Sequence, residues 1–248
     1  MKTTERVMLT PAYVLHQRAW RESSRIIEII SPEHGRLGLV ARGIRRPTSP
    51  LRGLLTPFRP LLLSWSLRGE LGTLTQAESA GTAARLGGRC LMAAFYLNEL
   101  LLCLIARHDP QAELYEHYAS TLSMIADPAQ LETGLRRFEL QLLQTIGYGL
   151  NLERDAASGA PVVAEGLYRF EPERGLVHVE HRESSGLIVQ GTTLHELAAG
   201  KFTDAERLRE ARKLLRAALD VQLGGRRLKT RDILRELARY GAITAMRS

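Results

Sequence analysis

Over the first 80 positions, apolar residues recur in short runs separated by turn residues. Tyr13–Arg18 alternates polar and apolar side chains, the period of a half-buried strand. Ser24–Ser31 (SRIIEIIS) is dense in β-branched residues and ends at Pro32. His34-Gly35 predicts a turn, and Arg36–Ala41 (RLGLVA) predicts the next strand. Gly43 to Gly53 has no apolar period and reads as a loop of Gly, Pro and Arg. Phe58–Ser66, a turn at Gly69 and Glu70–Ala77 complete a set of about five short strands. So many strands in so little chain predict a small closed barrel, because closure removes the edges that promote aggregation. The five-stranded OB-fold is the commonest barrel of this kind.

From about residue 83 the period becomes helical. Leu91–Arg107 is apolar nearly all round and predicts a central buried helix, stopped by Asp109-Pro110. Asn98 and Glu99 interrupt its longest apolar stretch, which is too short and too polar to span a bilayer. Ala112–Ala126 predicts a second helix. A third starts with Asp127 as N-cap and Pro128 at the first helical position, and ends near Gly147. Leu131, Leu135, Phe138, Leu142 and Ile146 lie on one face of it, and Arg136, Leu140 and Leu143 form a second stripe. Asn151–Pro161 is a Gly/Ala/Ser loop. Leu167–Phe170 and Leu176–Glu180 flank a PERG turn and predict a hairpin. Helices are expected again over Thr193–Ala199, Asp204–Leu223 and Arg231–Tyr240, with Gly224-Gly225 ending the long one. The expected class is therefore α+β. An OB-fold barrel over residues 1–80 precedes a mainly α-helical domain over 81–248, which carries a small loop-and-hairpin insertion at about 150–182.

Composition adds exclusions. With 44% hydrophobic and 25% charged residues, the chain belongs with folded proteins rather than disordered ones. The two cysteines, Cys90 and Cys103, form no CxxC pair, so the chain alone cannot supply a four-cysteine zinc site. A reduced, cytoplasmic protein is expected, and MKTTERVMLT has no apolar core of the signal-peptide kind.

The net charge of +7 says little until it is located. Residues 1–80 carry +6 of it. Between Glu33 and Glu70 there is no acid, while the same window holds Arg36, Arg42, Arg45, Arg46, Arg52, Arg59 and Arg68. Such a stretch makes a positive potential that attracts a polyanion. Arginine outnumbers lysine 30 to 4, as biased base composition alone can produce, but that bias does not remove acids from one window. Trp20, Phe58 and Trp65 are candidate stacking platforms for bases, with core packing as the competing reading. Arg226, Arg227, Lys229 and Arg231 form a second basic run, either a further DNA-binding patch or a solvated turn. On the third helix, Arg136 and Arg137 beside Leu140 and Leu143 could dock an acidic, aromatic peptide; the competing reading is a helix buried on two sides.

No catalytic motif is found. GxxxxGK[ST], GxSxG and HExxH are all absent, and the seven histidines form no metal-like pair at helical spacing.

Several long segments, in one order, carry a family likeness. They are AYVLHQRAWRESS, SPEHGRLGLVARGIRR, LRGLLTPFRPLLLSWSLRGELGTL, FYLNELL, LRRFELQLLQTIGYGL and LGGRRLKTRDIL. From about residue 12 to 236 the chain resembles the RecO family of bacterial recombination mediators. The resemblance implies an OB-fold followed by a helical domain, and binding of single- and double-stranded DNA with annealing of complementary strands. It implies cooperation with RecR in helping RecA replace the single-stranded DNA-binding protein SSB, with no nucleotide used. It also implies contact with the acidic, phenylalanine-ended SSB tail near LRRFELQLL, which favours the Arg136, Arg137, Leu140 and Leu143 stripe. Many family members carry a four-cysteine zinc site. The matching loop here reads ERDAASGAPV, with Asp155 in place of a cysteine, so the resemblance implies no metal and no cofactor for this chain. An RNA-binding OB-fold factor of translation or ribosome assembly is the alternative that charge alone leaves open, and an enzyme such as a nuclease is a third.

Overall fold

The computed structural model of the chain describes residues 5–181, 185–234 and 236. Five strands, β1 (Glu5–Trp20), β2 (Ser24–Ser31), β3 (Gly35–Ala41), β4 (Leu61–Leu67) and β5 (Leu71–Ser79), close into a barrel in the order β1-β2-β3-β5-β4. This is the five-stranded OB arrangement expected from the strand pattern. One short helix, α1 (Leu51–Leu54), lies between β3 and β4, overlapping the end of the segment expected to be loop. β1 is longer than its alternating portion. Its first part pairs with β4 and its second with β2, and bulges between Val7 and Thr10 and between Val14 and His16 turn it around the barrel. Leu9 sits at the first bulge with φ +45°, so the period-2 pattern breaks there.

Val14, Ile27, Ile29, Leu37, Leu39, Leu61, Leu63 and Trp65 fill the barrel. In β2 the alternate residues Ile26, Glu28 and Ile30 are buried as well, on the opposite face. That is why SRIIEIIS shows no polar alternation: both of its faces are covered.

α2 (Gly88–Leu104) and α3 (Ala112–Met124) follow. Asn98, 2% exposed in the middle of α2, donates to the carbonyl oxygen of Leu15 in β1 and accepts from the Tyr118 hydroxyl of α3. The polar residue in an apolar helix is thus the joint between three elements. Phe58 and Phe95 meet edge to face nearby, 5.0 Å between ring centres. After α2 the backbone turns extended at Ile105, and the His108 amide bonds to the Arg36 carbonyl at 2.9 Å. The expected helix therefore stops three residues short of Arg107. Gly35, at φ +64°, lies so close to Asp109 that a Cβ would overlap its carbonyl oxygen.

The described residues up to Ala126, together with those from Leu228 onward, form one compact unit, and Asp127–Arg227 form a second. By compactness α2 and α3 group with the barrel. The second unit contains α4 (Leu131–Thr145), strands β6 (Leu167–Glu171), β7 (Gly175–Val179) and β8 (Ile188–Gln190), then α5 (Gly191–Ala199) and α6 (Ala205–Leu223). The expected hairpin is present as β6–β7, and β8 adds a third strand, giving the order β7-β6-β8. Three residues are too few to show a period. α4 begins three residues later than Pro128. Asp127 heads a separate turn instead, its side chain accepting from the Ala129 amide and its carbonyl from the Gln130 amide. Asp204, expected as the first helical residue, instead caps α6, accepting from the Glu206 and Arg207 amides at 2.8 Å each, and Gly224 closes that helix as expected, at φ +56°. Of the helix expected over Arg231–Tyr240, residues 231–234 and 236 are helical, and the remainder lies outside the described residues. Among the described residues no helix is long and apolar enough to cross a membrane.

Candidate nucleic-acid interface

The arginines of the acid-free window separate into two kinds. Arg42, Arg45, Arg46 and Arg52 are exposed, on the segment from the end of β3 through α1. Ile44 and Leu55 are buried in the barrel core and anchor that segment, so it turns its cations outward on a fixed base. Arg45 does more. Its amide donates to the Ser23 carbonyl at 3.0 Å and its Nη1 to the Arg21 carbonyl at 3.1 Å. The arginine loop is thereby tied to the β1–β2 turn at one end of the barrel. Arg59 is half-buried just before β4, with its Nε enclosed.

Arg36 is of the second kind. Its Nε donates to the Ile105 carbonyl at 3.0 Å, and its Nη1 lies 3.4 Å from Glu28, which also pairs with Arg107. Burial lowers the Arg36 pKa below its ordinary value, with Glu28 opposing and Arg107 adding to the shift. Arg36 is therefore a structural cation joining β2, β3 and the end of α2. Glu28 gave no functional signal in the sequence, although an acid inside an isoleucine run is itself a sign of a buried partner.

Of the three aromatic candidates, Trp65 (1% exposed) and Phe58 (6%) are core residues. Trp20 is 36% exposed, beside the β1–β2 turn.

The two remaining patches are more involved than their charge suggests. In α4, Arg136 and Leu143 are buried, Leu140 is half-buried and Arg137 is exposed, with its stem against Gly200 at the end of α5. Arg136 is 3% exposed and pairs with Glu139, which is equally buried, through two contacts of 2.8 Å. In the second basic run, Arg226 and Arg227 are exposed. Beyond them, Glu99 of α2 accepts from the Lys229 and Thr230 amides, at 2.8 and 2.9 Å, and from the Thr230 hydroxyl. Glu99 thus caps the helical turn that starts at Lys229. Arg231 stacks over the Tyr96 ring at 5.6 Å. Lys229 and Arg231 accordingly sit on an anchored turn, fixed by an acid that in the sequence marked only a polar interruption of an apolar helix.

Residues 5–83 match the family described as Recombination protein O N terminal, and residues 88–232 match Recombination protein O C terminal. The chain belongs to the RecO family. It is 46% identical over 239 residues to a DNA repair protein RecO from Nitrosococcus oceani, covering 96% of this chain and 97% of that one. It is 44% identical over 239 residues to the protein of that name from Aromatoleum aromaticum, covering 96% and 99%. With the Halorhodospira halophila protein of the same name it shares 47% over 230 residues, covering 92% and 96%.

The loop in which the sequence resemblance raised a zinc site is organised around Asp155. Asp155 is buried, and its carboxylate accepts from the Ser158 hydroxyl and from the amides of Ala157, Ser158 and His178. Both of its oxygens are occupied by donors, so this residue does not fit a metal ligand set; it organises the loop from inside. The Ser158 hydroxyl, followed by the His178 amide, holds its pKa well below the ordinary carboxylate range. Asp155→Asn places donors against donors and is expected to lower stability by about 2 kcal/mol. The sign with pH is fixed. A depressed carboxylate contributes fully above the unfolded-state pKa of about 3.9 and loses that contribution as pH falls through the folded value. Urea unfolding should therefore show a constant difference between wild type and variant from about pH 8 to 5, closing only in strong acid.

Proposed function

We propose that this chain acts in DNA repair as a DNA-binding recombination mediator. In this reading it binds single and double strands, anneals complementary strands and, with RecR, helps RecA replace SSB. The observation that carries the proposal is the exposed, acid-free arginine segment fixed to one end of an OB barrel. Two single strands repel through their phosphates, and a protein that neutralises both removes that barrier while leaving sequence to be read by base pairing. Arg42, Arg45, Arg46, Arg52 and Arg59 supply five cations. Five phosphate contacts correspond to a slope of about −3.5 in log K against log salt for a single strand. Family membership supports the assignment to repair, and the names of the relatives are those of repair proteins. For the SSB tail, Arg137 offers the exposed cation and Leu140 the apolar edge, while Arg136 and Leu143 support them from within α4.

The test is pairing of complementary strands coated with SSB, with and without the SSB tail. The expected result is pairing that the tail accelerates, with no change in strand length in the presence of Mg²⁺. An RNA-binding factor would ignore the tail, and a nuclease would shorten the strands.

A further inference from the structure

The β1–β2 turn carries an aromatic ring, Trp20, that is 36% exposed and flanked by cations. Trp20 pairs across the hairpin with Ser24 and is followed by Arg21 at φ +51°, a left-handed turn position occupied by a non-glycine residue. Arg18, Ala19, Trp20, Arg21 and Glu22 are all exposed. The guanidinium carbon of Arg18 stands 5.6 Å from the centre of the Trp20 ring, and that of Arg21 6.0 Å. The two cations cover an indole that would otherwise be a bare apolar surface. The turn is held in place: Arg45 bonds to the carbonyls of Arg21 and Ser23, which brings the arginine loop alongside. Only Glu22 offsets these charges within the turn itself.

We infer that Trp20 is a stacking platform for an unpaired base, and that the β1–β2 turn is the contact by which this chain distinguishes single from double strands. The inference rests on the DNA-binding reading above. A nucleotide presents a flat π-face and a phosphate a few ångströms away, and the turn offers an indole with guanidinium groups at matching separation. On binding, a base takes the place of one guanidinium on the ring, and the displaced arginine turns to the phosphate. Paired bases in a duplex keep their faces stacked on one another, so a duplex gains the cations of the loop but not the ring. The arginines bind any polyanion; the ring binds only an unpaired base.

The chain has two tryptophans, and Trp65 is enclosed in the barrel out of reach of a bound base, so the change in tryptophan emission on adding DNA reports on Trp20. The experiment titrates the full chain with fluorescein-labelled oligo(dT) and with a duplex of equal length. It follows anisotropy of the label for binding and tryptophan emission for stacking. Oligo(dT) is expected to quench emission and the duplex to leave it nearly unchanged. Trp20→Ala should weaken oligo(dT) binding about tenfold or more, with duplex binding retained. Trp20→Phe, which keeps a ring, should bind oligo(dT) nearly as wild type does but without the quench. Salt-sensitive oligo(dT) binding that is equal in wild type and Trp20→Ala, without quenching, overturns this inference and leaves the DNA-binding reading intact. Equal loss of oligo(dT) and duplex binding in Trp20→Ala also overturns it, because the turn would then only shape the arginine loop. No binding of either DNA by the wild-type chain overturns both.

Discussion

Replacing Arg42, Arg45, Arg46 and Arg52 together by alanine is expected to weaken single-strand binding by about 10²–10³-fold at about 0.1 M salt. The magnitude follows from counterion release. Removing four of five phosphate contacts changes the slope of log K against log salt from about −3.5 to about −0.7. If the two lines meet near 1 M, where release gives no advantage, they lie almost three decades apart at about 0.1 M. These four side chains are exposed, and although Arg45 also gives up its bond to the Arg21 carbonyl, its backbone amide still holds the Ser23 carbonyl, so the fold should survive, which matching thermal unfolding checks. Arg36→Ala is the contrasting variant. Its guanidinium is engaged with Glu28 and the Ile105 carbonyl, so the salt slope should stay near the wild-type value while stability falls. An unchanged slope in the fourfold variant would remove the arginine segment from the interface.

The two kinds of arginine look alike in the sequence because charge is local and partners are not. Arg36 and Arg42 lie in the same acid-free window, but what separates them is Glu28 on the neighbouring strand and Arg107 beyond the next helix. The window therefore located the candidate interface without resolving its members. The barrel was legible for a related reason: β-branched runs and Gly or Pro turns are local signals, and a five-strand set leaves few closed arrangements. What escaped were features that break or lack a period. β1 changes its pairing partner through two bulges, while α1 and β8 are four and three residues long. Asn98 and Glu99 were legible as anomalies in an apolar helix. Their purpose depends on Leu15, Tyr118 and Thr230, the last of these 131 positions from Glu99.

Arg136→Ala is expected to destabilise the chain by about 3–5 kcal/mol, because it removes the guanidinium that pairs with the buried Glu139 carboxylate. Glu132, whose carboxylate lies 3.7 Å from Arg136, carries a like charge and cannot substitute. Replacing both partners, as in Arg136→Met with Glu139→Leu, removes the two desolvated charges together and should restore most of the loss. Urea unfolding of the four corners of this cycle checks it, with a large positive coupling between the two sites as the expected outcome. The same cycle governs how peptide docking on α4 is read. Loss of SSB-tail binding in an Arg136 variant reports first on a damaged helix face, and the double variant separates that effect from recognition. Arg137 is exposed, so Arg137→Ala should leave stability within about 0.5 kcal/mol. A loss of tail binding confined to Arg137→Ala would place the recognition charge on the outer face of α4. Binding that is lost in Arg136→Ala and recovered in the double variant would show that residue 136 contributes through packing alone.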